Sequence, residues 1–490
     1  MNQRHLDLLV NKRAADTLRV RSCVVRKLRQ WLETNLECVE VHTPILAANA
    51  GGAVARPFTT NATEFPEKQL ALRIAPELWL KRLVVAGFDR IYEIGPAFRN
   101  EGLDSTHNPE FTMCEFYVSH INLEQIMQET RDMFYDLATS VAKFKDEHNL
   151  STLQSPDPRV FAKEWQVIDF IPAINMELGC PLPRLDNNPN AVQEIIKLLE
   201  DQGKDWHKSL PPNPSLTKLL DRIAGAVLEP QSKDKPIFIT KHPACMSPLA
   251  KTFTCPFTKQ FVSARAEVFF DGNELANMYE EENSPYVQRL KFVDQVKAKL
   301  AQQQHAGPGG QPLGDGDDEP AHVIDEQYIS VLESGLPPTA GWGCGVDRLV
   351  MMFTGAGRIS EVLPFGNLRN VVGLASTGPQ IQERKKGEGL DSNSGSIPVG
   401  DAATENQIFE REDLENAVQV GKETILPTGE VARDGSRTGR ADPSLVIEPE
   451  SATVPGDADA AARESDKPAS LNREKRAADD ALNYIMGDRP

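Results

Sequence analysis

An α+β domain with an antiparallel sheet flanked by helices is the fold this sequence predicts, and three observations predict it. Long segments repeat apolar residues at helical spacing, aromatic and β-branched runs of strand length lie between them, and the clearest turn signal joins two strands as a hairpin. Ala15–Asn35 sets Leu18, Val24, Val25, Leu28 and Leu32 at helical spacing beside a basic face. Val39–Thr43 is a short strand stopped by Pro44. Glu77–Gly87 reads as a helix opening after Pro76. Arg90–Arg99 and Phe111–Ser119 read as strands joined by a polar loop. Asn122 caps a long helix, Leu123–Phe144, with Gln125 three residues on, as a capping box requires. Ala266–Phe270 and Asn273–Ala276 flank Asp271-Gly272, a two-residue hairpin signal. Gln327–Ser334 is a helix, and Arg348–Phe353 opens another.

Composition bounds what such a domain does. The chain has 490 residues, 40% of them apolar, with 20 Phe and 5 Trp, enough for a large core. A net charge of −18 argues against a protein that coats nucleic acid non-specifically. No apolar run reaches transmembrane length, and no signal-peptide pattern opens the chain. Cys23, Cys38, Cys114, Cys180, Cys245, Cys255 and Cys344 are scattered without a C-x-x-C, which speaks against structural zinc or a disulfide framework. Composition changes at Ser376. From there to Pro490 only Phe409 and Tyr484 are aromatic, and 23 acids outnumber 14 bases. The expectation is a folded part over residues 1–375 and a disordered acidic tail over 376–490, where Asn472–Met486 could form a short helix. Residues 302–320, QQQHAGPGGQPLGDGDDEP, read as a flexible insertion.

Three constellations carry chemistry. In FRNEGLDSTHNPEFTMCEFY (98–117), strand alternation puts Arg99 and Glu101 on one face and Phe111, Met113, Glu115 and Tyr117 on one face of the next strand. His107 and Asn108 lie in the loop between. A guanidinium at Arg99 suits a phosphate or carboxylate, and the Phe111 ring offers a surface for a stacked base. Around the second hairpin, a two-residue turn sets position 269 opposite 274 and 267 opposite 276, so Glu267 and Glu274 are diagonal neighbours. Two carboxylates so placed suit Mg²⁺ shared with substrate phosphates. Asn277, Tyr279 and Glu281 have the wrong parity to join Glu274 unless a bulge lies near Ala276. The third is GWGCGVDR (341–348), a glycine-rich strand entering a helix that fits neither a P-loop nor a dinucleotide fingerprint.

These strings resemble the class II aminoacyl-tRNA synthetases, in their lysyl-tRNA synthetase form. The 98–117 string resembles motif 2 of that family and LPPTAGWGCGVDRLVMM (336–352) resembles motif 3. Gly51-Gly52-Ala53 with Ala55-Arg56-Pro57-Phe58, then IAPELWLKRLVV (74–85), HPACMSPLAK (242–251) and the strand Glu267–Glu281, match in the family's order. Arg19–Pro44 is similar to motif 1. The resemblance covers about residues 3–375, so it implies the class II synthetase catalytic fold for the folded part.

The resemblance also implies roles. Lysine, ATP and tRNA(Lys) are the substrates, Mg²⁺ sits on Glu267 and Glu274, and motif 1 forms a homodimer. Arg99, Glu101 and Arg348 are the catalytic group. ATP is held by Arg99, Glu101, His107, Asn108, Phe111, Glu267, Glu274, Gly345 and Arg348, with adenine between Phe111 and Arg348. Gly52 and Glu77 take the α-amino group of lysine, Arg99 and Asn277 its carboxylate, and Glu115, Tyr117 and Glu281 its ε-ammonium, with Tyr279 in the same pocket. The sequence opens at the catalytic core, without the N-terminal anticodon-reading OB-fold of complete family members; a truncated gene, a real short form and a paralogue with another acceptor are the three explanations. That leaves two alternatives to a lysine–tRNA ligase: an ATP-dependent lysyl transferase acting on a protein or small molecule, and a non-catalytic scaffold. The expected compartment is the mitochondrial matrix or the cytoplasm.

Overall fold

A computed structural model of the chain describes residues 4–48, 51, 55–211, 213–305 and 325–375. The tail at 376–490 with its helix, residues 306–320 of the insertion, and Gly52 lie outside the described residues.

Eight strands form the main sheet among the described residues: β1 (Val39–Glu40), β2 (Arg90–Phe98), β3 (Glu110–Ser119), β4 (Gln166–Asp169), β5 (Ile237–Thr240), β6 (Arg265–Phe270), β7 (Asn273–Glu280) and β8 (Thr339–Gly345), in the order β1-β2-β3-β8-β7-β6-β5-β4. The five inner pairings are antiparallel, as the hairpin signals predict. The two outer ones, β1 with β2 and β4 with β5, are parallel, so the sheet is mixed rather than antiparallel throughout. Each parallel pair is joined by a long connection, which parallel neighbours require. β1 is also shorter than Val39–Thr43. The Thr43 backbone N–H and hydroxyl donate to Glu93 Oε2 at 3.1 and 2.7 Å, so a side chain takes the place of ladder bonds.

Strand parity divides the sheet. Tyr92, Phe116, Val118, Met278, Trp342 and Cys344 face the helices and are buried, with the Phe116 and Trp342 rings stacked 5.0 Å apart. Against them pack α1 (Lys12–Thr34) through Val20, Val24, Leu28 and Leu32, α3 (Leu123–Glu147) through Phe134, Leu137 and Val141, and α9 (Val346–Thr354). The other face, carrying Glu115, Tyr117, Asn277, Tyr279, Gly341 and Gly343, is left to a cavity.

The basic face read on the first helix is largely spent inside the fold. Arg21 pairs with the buried Asp347, Arg13 donates to the carbonyls of Thr152 and Gly355, Arg19 pairs with Asp16, and Arg29 with Glu40. Arg4 donates to the carbonyls of Pro364 and Glu361. α3 starts as expected: Asn122 Oδ1 accepts from the Gln125 N–H and Gln125 Oε1 from the Asn122 N–H, both at 2.9 Å. Asn122→Ala should lower stability by about 1 kcal/mol, seen as a lower urea midpoint at unchanged slope.

Three helices that periodicity reading passed over, α4 (Phe170–Leu178), α5 (Ala191–Asp201) and α6 (Leu216–Val227), build a second core from Ile171, Ile174, Ile195, Leu199, Leu219 and Ile223 beside β4 and β5. Two more complete the frame, α7 (Pro285–His305) and α8 (Glu326–Glu333). α7 runs through residues 302–305, the first four of the expected insertion. α2 (Glu77–Val85) and α8 close the pocket's inner end with Leu78, Leu80, Val84, Tyr328 and Leu332.

Candidate active site

The cavity on the open face of the sheet has a volume of about 800 Å³. Its walls come from the loop after β2, from β3, the β6–β7 hairpin, β8, and α2.

β2 ends at Phe98, one residue before the expected Arg99, so Arg99 and Glu101 are loop residues rather than strand neighbours on one face. Both still line the cavity. The Arg99 guanidinium lies 5.2 Å from the centroid of the Phe111 ring, and its Nε donates to the Ile74 carbonyl at 3.3 Å. Among the described residues it forms no ion pair. Burial pushes its pKa below the ordinary arginine value, against the pull of Glu101, Glu274 and Glu115. An unpaired cation held in a desolvated wall is a receptor for an anion.

The loop that follows is tied to α9. Asp104 accepts from the Thr106 and His107 N–H groups at 2.6 and 2.7 Å and holds His107 Nδ1 at 2.7 Å. Arg348 Nη2 donates to His107 Nε2 at 2.8 Å, which fixes the proton on Nδ1. Arg348 Nη1 also donates to the Glu274 carbonyl at 3.1 Å and lies 3.5 Å from its carboxylate. Arg348 thus bridges loop, hairpin and helix, and pairs with neither Asp347 nor Glu361. The Asn108 side chain is consumed by backbone: it donates to the Glu110 carbonyl at 2.6 Å and accepts from the Leu368 N–H at 3.0 Å. Gly345 lines the cavity as the residue that caps α9.

On the hairpin, Asp271 and Gly272 take φ of 49° and 73°, as a two-residue turn of this hand requires. Phe269 faces Glu274, but Val268 faces Ala276 and Glu267 faces Asn277, not Ala276. Leu275 is the extra residue of a bulge, and it returns Asn277 and Tyr279 to the face of Glu274. Glu267 is held by Arg265 and by His242 Nε2 at 2.9 Å. Burial opposes its carboxylate, and Arg265 and His242 outweigh burial, so its pKa falls to about 2. Glu274 is pushed the other way, by burial and then by the Glu267 charge. Asp221 and Glu229, from the helical module, line the same wall. Glu229 is raised to about 7 by burial and by Asp221, Glu267 and Glu274.

Deeper in, Glu115 and Tyr117 are buried side by side on β3, with the Tyr117 hydroxyl donating to Glu115 Oε2 at 3.2 Å. Burial, with repulsion from Glu77, lifts the Glu115 carboxyl to about 8. Asn277 Oδ1 accepts from Arg265 Nε at 2.9 Å. The Tyr279 hydroxyl donates to Glu77 Oε1. Glu281 is fully buried against the ammonium of Lys81, which also lies 2.6 Å from Glu77 Oε1. Lys81, Arg265, His242, Asp221 and Glu229 were missed as site residues. The spacing of Lys81, four after Glu77, is the signal that could have found it. Gly341 and Gly343 leave room opposite these groups: a Cβ at 341 would stand 2.1 Å from Glu281 Oε1.

The family model for tRNA synthetases class II (D, K and N) matches residues 1–369. The mitochondrial lysine–tRNA ligase of Schizosaccharomyces pombe is 39% identical over 372 residues, which are 75% of this chain and 65% of that one. The mitochondrial lysine–tRNA ligase of Saccharomyces cerevisiae is 38% identical over 72% of this chain and 60% of its own length. A lysine–tRNA ligase of Idiomarina loihiensis is 38% identical over 75% and 66%. The chain therefore spans about two thirds or less of the length of these curated relatives. With its mixed sheet, its two motif strands and its glycine-rich strand on one cavity, the chain belongs to the class II tRNA synthetases of the D, K and N group.

Proposed function

We propose that this chain is a lysine–tRNA ligase: it joins lysine to ATP as lysyl-adenylate, releasing pyrophosphate, and passes the lysyl group to a ribose hydroxyl at the end of tRNA(Lys), releasing AMP. The observation that carries this is the pairing, in one cavity, of an ion-pair-free Arg99 with two acids, Glu77 and Glu115, behind which Glu281 lies fully buried on Lys81. One end suits phosphate and carboxylate, the other a substrate with two ammonium groups. The names of the relatives support the same reading.

No covalent nucleophile is needed. The lysine carboxylate attacks the α-phosphorus while Arg99 neutralises the charge gathering on the phosphate, and catalysis is positioning plus preorganised charge. Phe111 supports the base, and Arg348, anchored through His107 and Glu274, lies across it. Glu101 and the 99–109 loop complete the ATP site. Glu77 receives the α-amino group, with Gly52 beside it, and Asn277 joins Arg99 on the carboxylate. Glu115, Tyr117 and Glu281 face the ε-ammonium, with Tyr279 bracing Glu77. Glu267 and Glu274 fit Mg²⁺: both offer hard oxygens on one face of the hairpin, and the upward push on Glu274 from burial and the Glu267 charge is a repulsion a cation relieves. Bound there, the metal would neutralise charge on the β- and γ-phosphates.

Residues 1–375 form the catalytic domain on this reading. A homodimer is proposed through α1, where Leu18, Val25 and Pro364 line a groove. No helix among the described residues is long and apolar enough to cross a membrane. The compartment is the mitochondrial matrix or the cytoplasm, both of which occur in the names of relatives.

The test is ATP–pyrophosphate exchange with each of the twenty amino acids, followed by charging of tRNA(Lys). Exchange with lysine alone supports the reading; exchange with aspartate or asparagine, or none, overturns it. Adenylate formation without tRNA charging would move the acceptor to a protein or small molecule.

One pH effect follows from Glu115. Its pKa of about 8 leaves it mainly protonated in the free pocket at neutral pH, and a bound ammonium favours the ionised form. Lysine binding should therefore release up to one proton below pH 8, and affinity should rise with pH, then flatten. Calorimetry in buffers of different ionisation enthalpy counts the proton, and Glu115→Gln should remove it.

A further inference from the structure

Lys81 is a buried ammonium directly behind a pocket proposed to receive ammonium groups, and the reading of the site gives it no task. It lies on α2, one turn after Glu77, with no exposed surface. Its Nζ is 2.6 Å from Glu77 Oε1 and in contact with Glu281 Oε2, and the Tyr279 and Tyr328 rings lie 5.5 and 6.0 Å from it. Those two carboxylates come from different elements, α2 and the residue after β7, and no other ion pair among the described residues bridges them. Glu77 is further tied to Tyr279. Glu281 has no hydrogen-bond partner among the described residues besides this ion pair, and its Oε1 packs against Gly341 of the neighbouring strand.

We propose that Lys81 is a positioning residue for amino-acid recognition: its ammonium clamps the pocket acid Glu77 to Glu281 behind it and backs the inner end of the pocket, so that the substrate meets a fixed carboxylate at a set depth. The inference rests on the pocket being one for lysine. Three acids alone would repel one another, and a flexible, partly protonated set would admit a cation without fixing its length. With one acid's charge cancelled from within, Glu77, Glu115 and Arg99 balance a substrate that carries two positive charges and one negative. Burial opposes the Lys81 charge, and Glu281 and Glu77 overcome it, holding its pKa well above the ordinary value, while burial and the Glu77 charge push the Glu281 carboxyl up against the pull of Lys81.

The purely structural alternative is a buried ion pair that merely holds α2 to the sheet. The two differ in what a variant loses. In the full chain, Lys81→Met should raise the KM for lysine in pyrophosphate exchange on the order of 30-fold or more, while the KM for ATP changes by less than about threefold. Lys81→Ala lacks three carbons and the nitrogen, which is propylammonium, and that amine should restore lysine KM in the variant without affecting the unmodified chain. Because a single variant leaves buried carboxylates unpaired and could fail to fold, Lys81→Met with Glu281→Gln is made alongside. It should regain thermal stability yet keep a lysine KM at least about tenfold above that of Glu281→Gln alone, since the clamp is still missing.

A folded single or double variant with the unmodified lysine KM would overturn the inference. So would equal losses toward lysine and ATP with no rescue by the amine. Absence of lysine-dependent exchange in the unmodified chain would instead overturn the proposed function, and this inference with it.

Discussion

Arg99→Ala is expected to lower kcat/KM for lysine-dependent pyrophosphate exchange by about 10³-fold, the loss seen when one preorganised charge donor is removed from a desolvated site. The guanidinium is the cavity's cation without an ion pair among the described residues, so no neighbour can take its place. Arg348 is committed to His107 and Glu274, and Arg265 to Glu267 and Asn277. Folding should be nearly untouched, because Arg99 contributes one hydrogen bond and a contact with Phe111 while bearing a desolvation cost. Arg99→Lys should still lose about tenfold or more, since an ammonium lacks the planar fork that grips two oxygens. Exchange rates within about fivefold of the unmodified chain, in a variant of unchanged melting temperature, would remove Arg99 from the mechanism.

The sequence made the outer form of this site readable because strand parity is a strong constraint. Phe111, Met113, Glu115 and Tyr117 all line the cavity as alternation requires. The misfit between Glu274 and the positions 277, 279 and 281 was itself the signal of a bulge, and Leu275 supplies it. What parity cannot convey is depth. A Glu and a Lys four apart on a helix read as a solvated surface pair, and only the arrival of Glu281 from a distant strand makes Lys81 a buried, three-way contact. Arg265 and His242 escaped for a related reason. They act by holding Glu267 rather than by facing the cavity alone, and that role exists only after β5, β6 and the 242–250 segment have come together. The helices α4–α6 carry apolar faces of their own, yet their relation to the sheet depends on the parallel pairing of β4 with β5, a contact between segments about seventy residues apart.

Gly341 is the position at which the pocket tolerates least change. It lies on the pocket face of β8, opposite Tyr117 in the ladder. A Cβ there would stand 2.1 Å from Glu281 Oε1 and 2.5 Å from Tyr117 Cε1. Neither neighbour can retreat: Glu281 is pinned to Lys81, and Tyr117 is buried and bonded to Glu115. Gly341→Ala should therefore raise lysine KM by about 100-fold or more, because the added methyl displaces two groups that the proposed function sets against the substrate ammonium. The overpacking should also cost about 1–3 kcal/mol of stability. Gly343 is the internal comparison. A Cβ there meets Glu115 Cγ at 3.4 Å, a contact that a small shift accommodates. Gly343→Ala should fold normally and lose less than about tenfold in lysine KM. Equal tolerance at the two glycines, measured by exchange kinetics and thermal melting, would mean that Glu281 and Tyr117 are mobile in solution. The pocket would then have to be drawn without Glu281 in contact with the substrate.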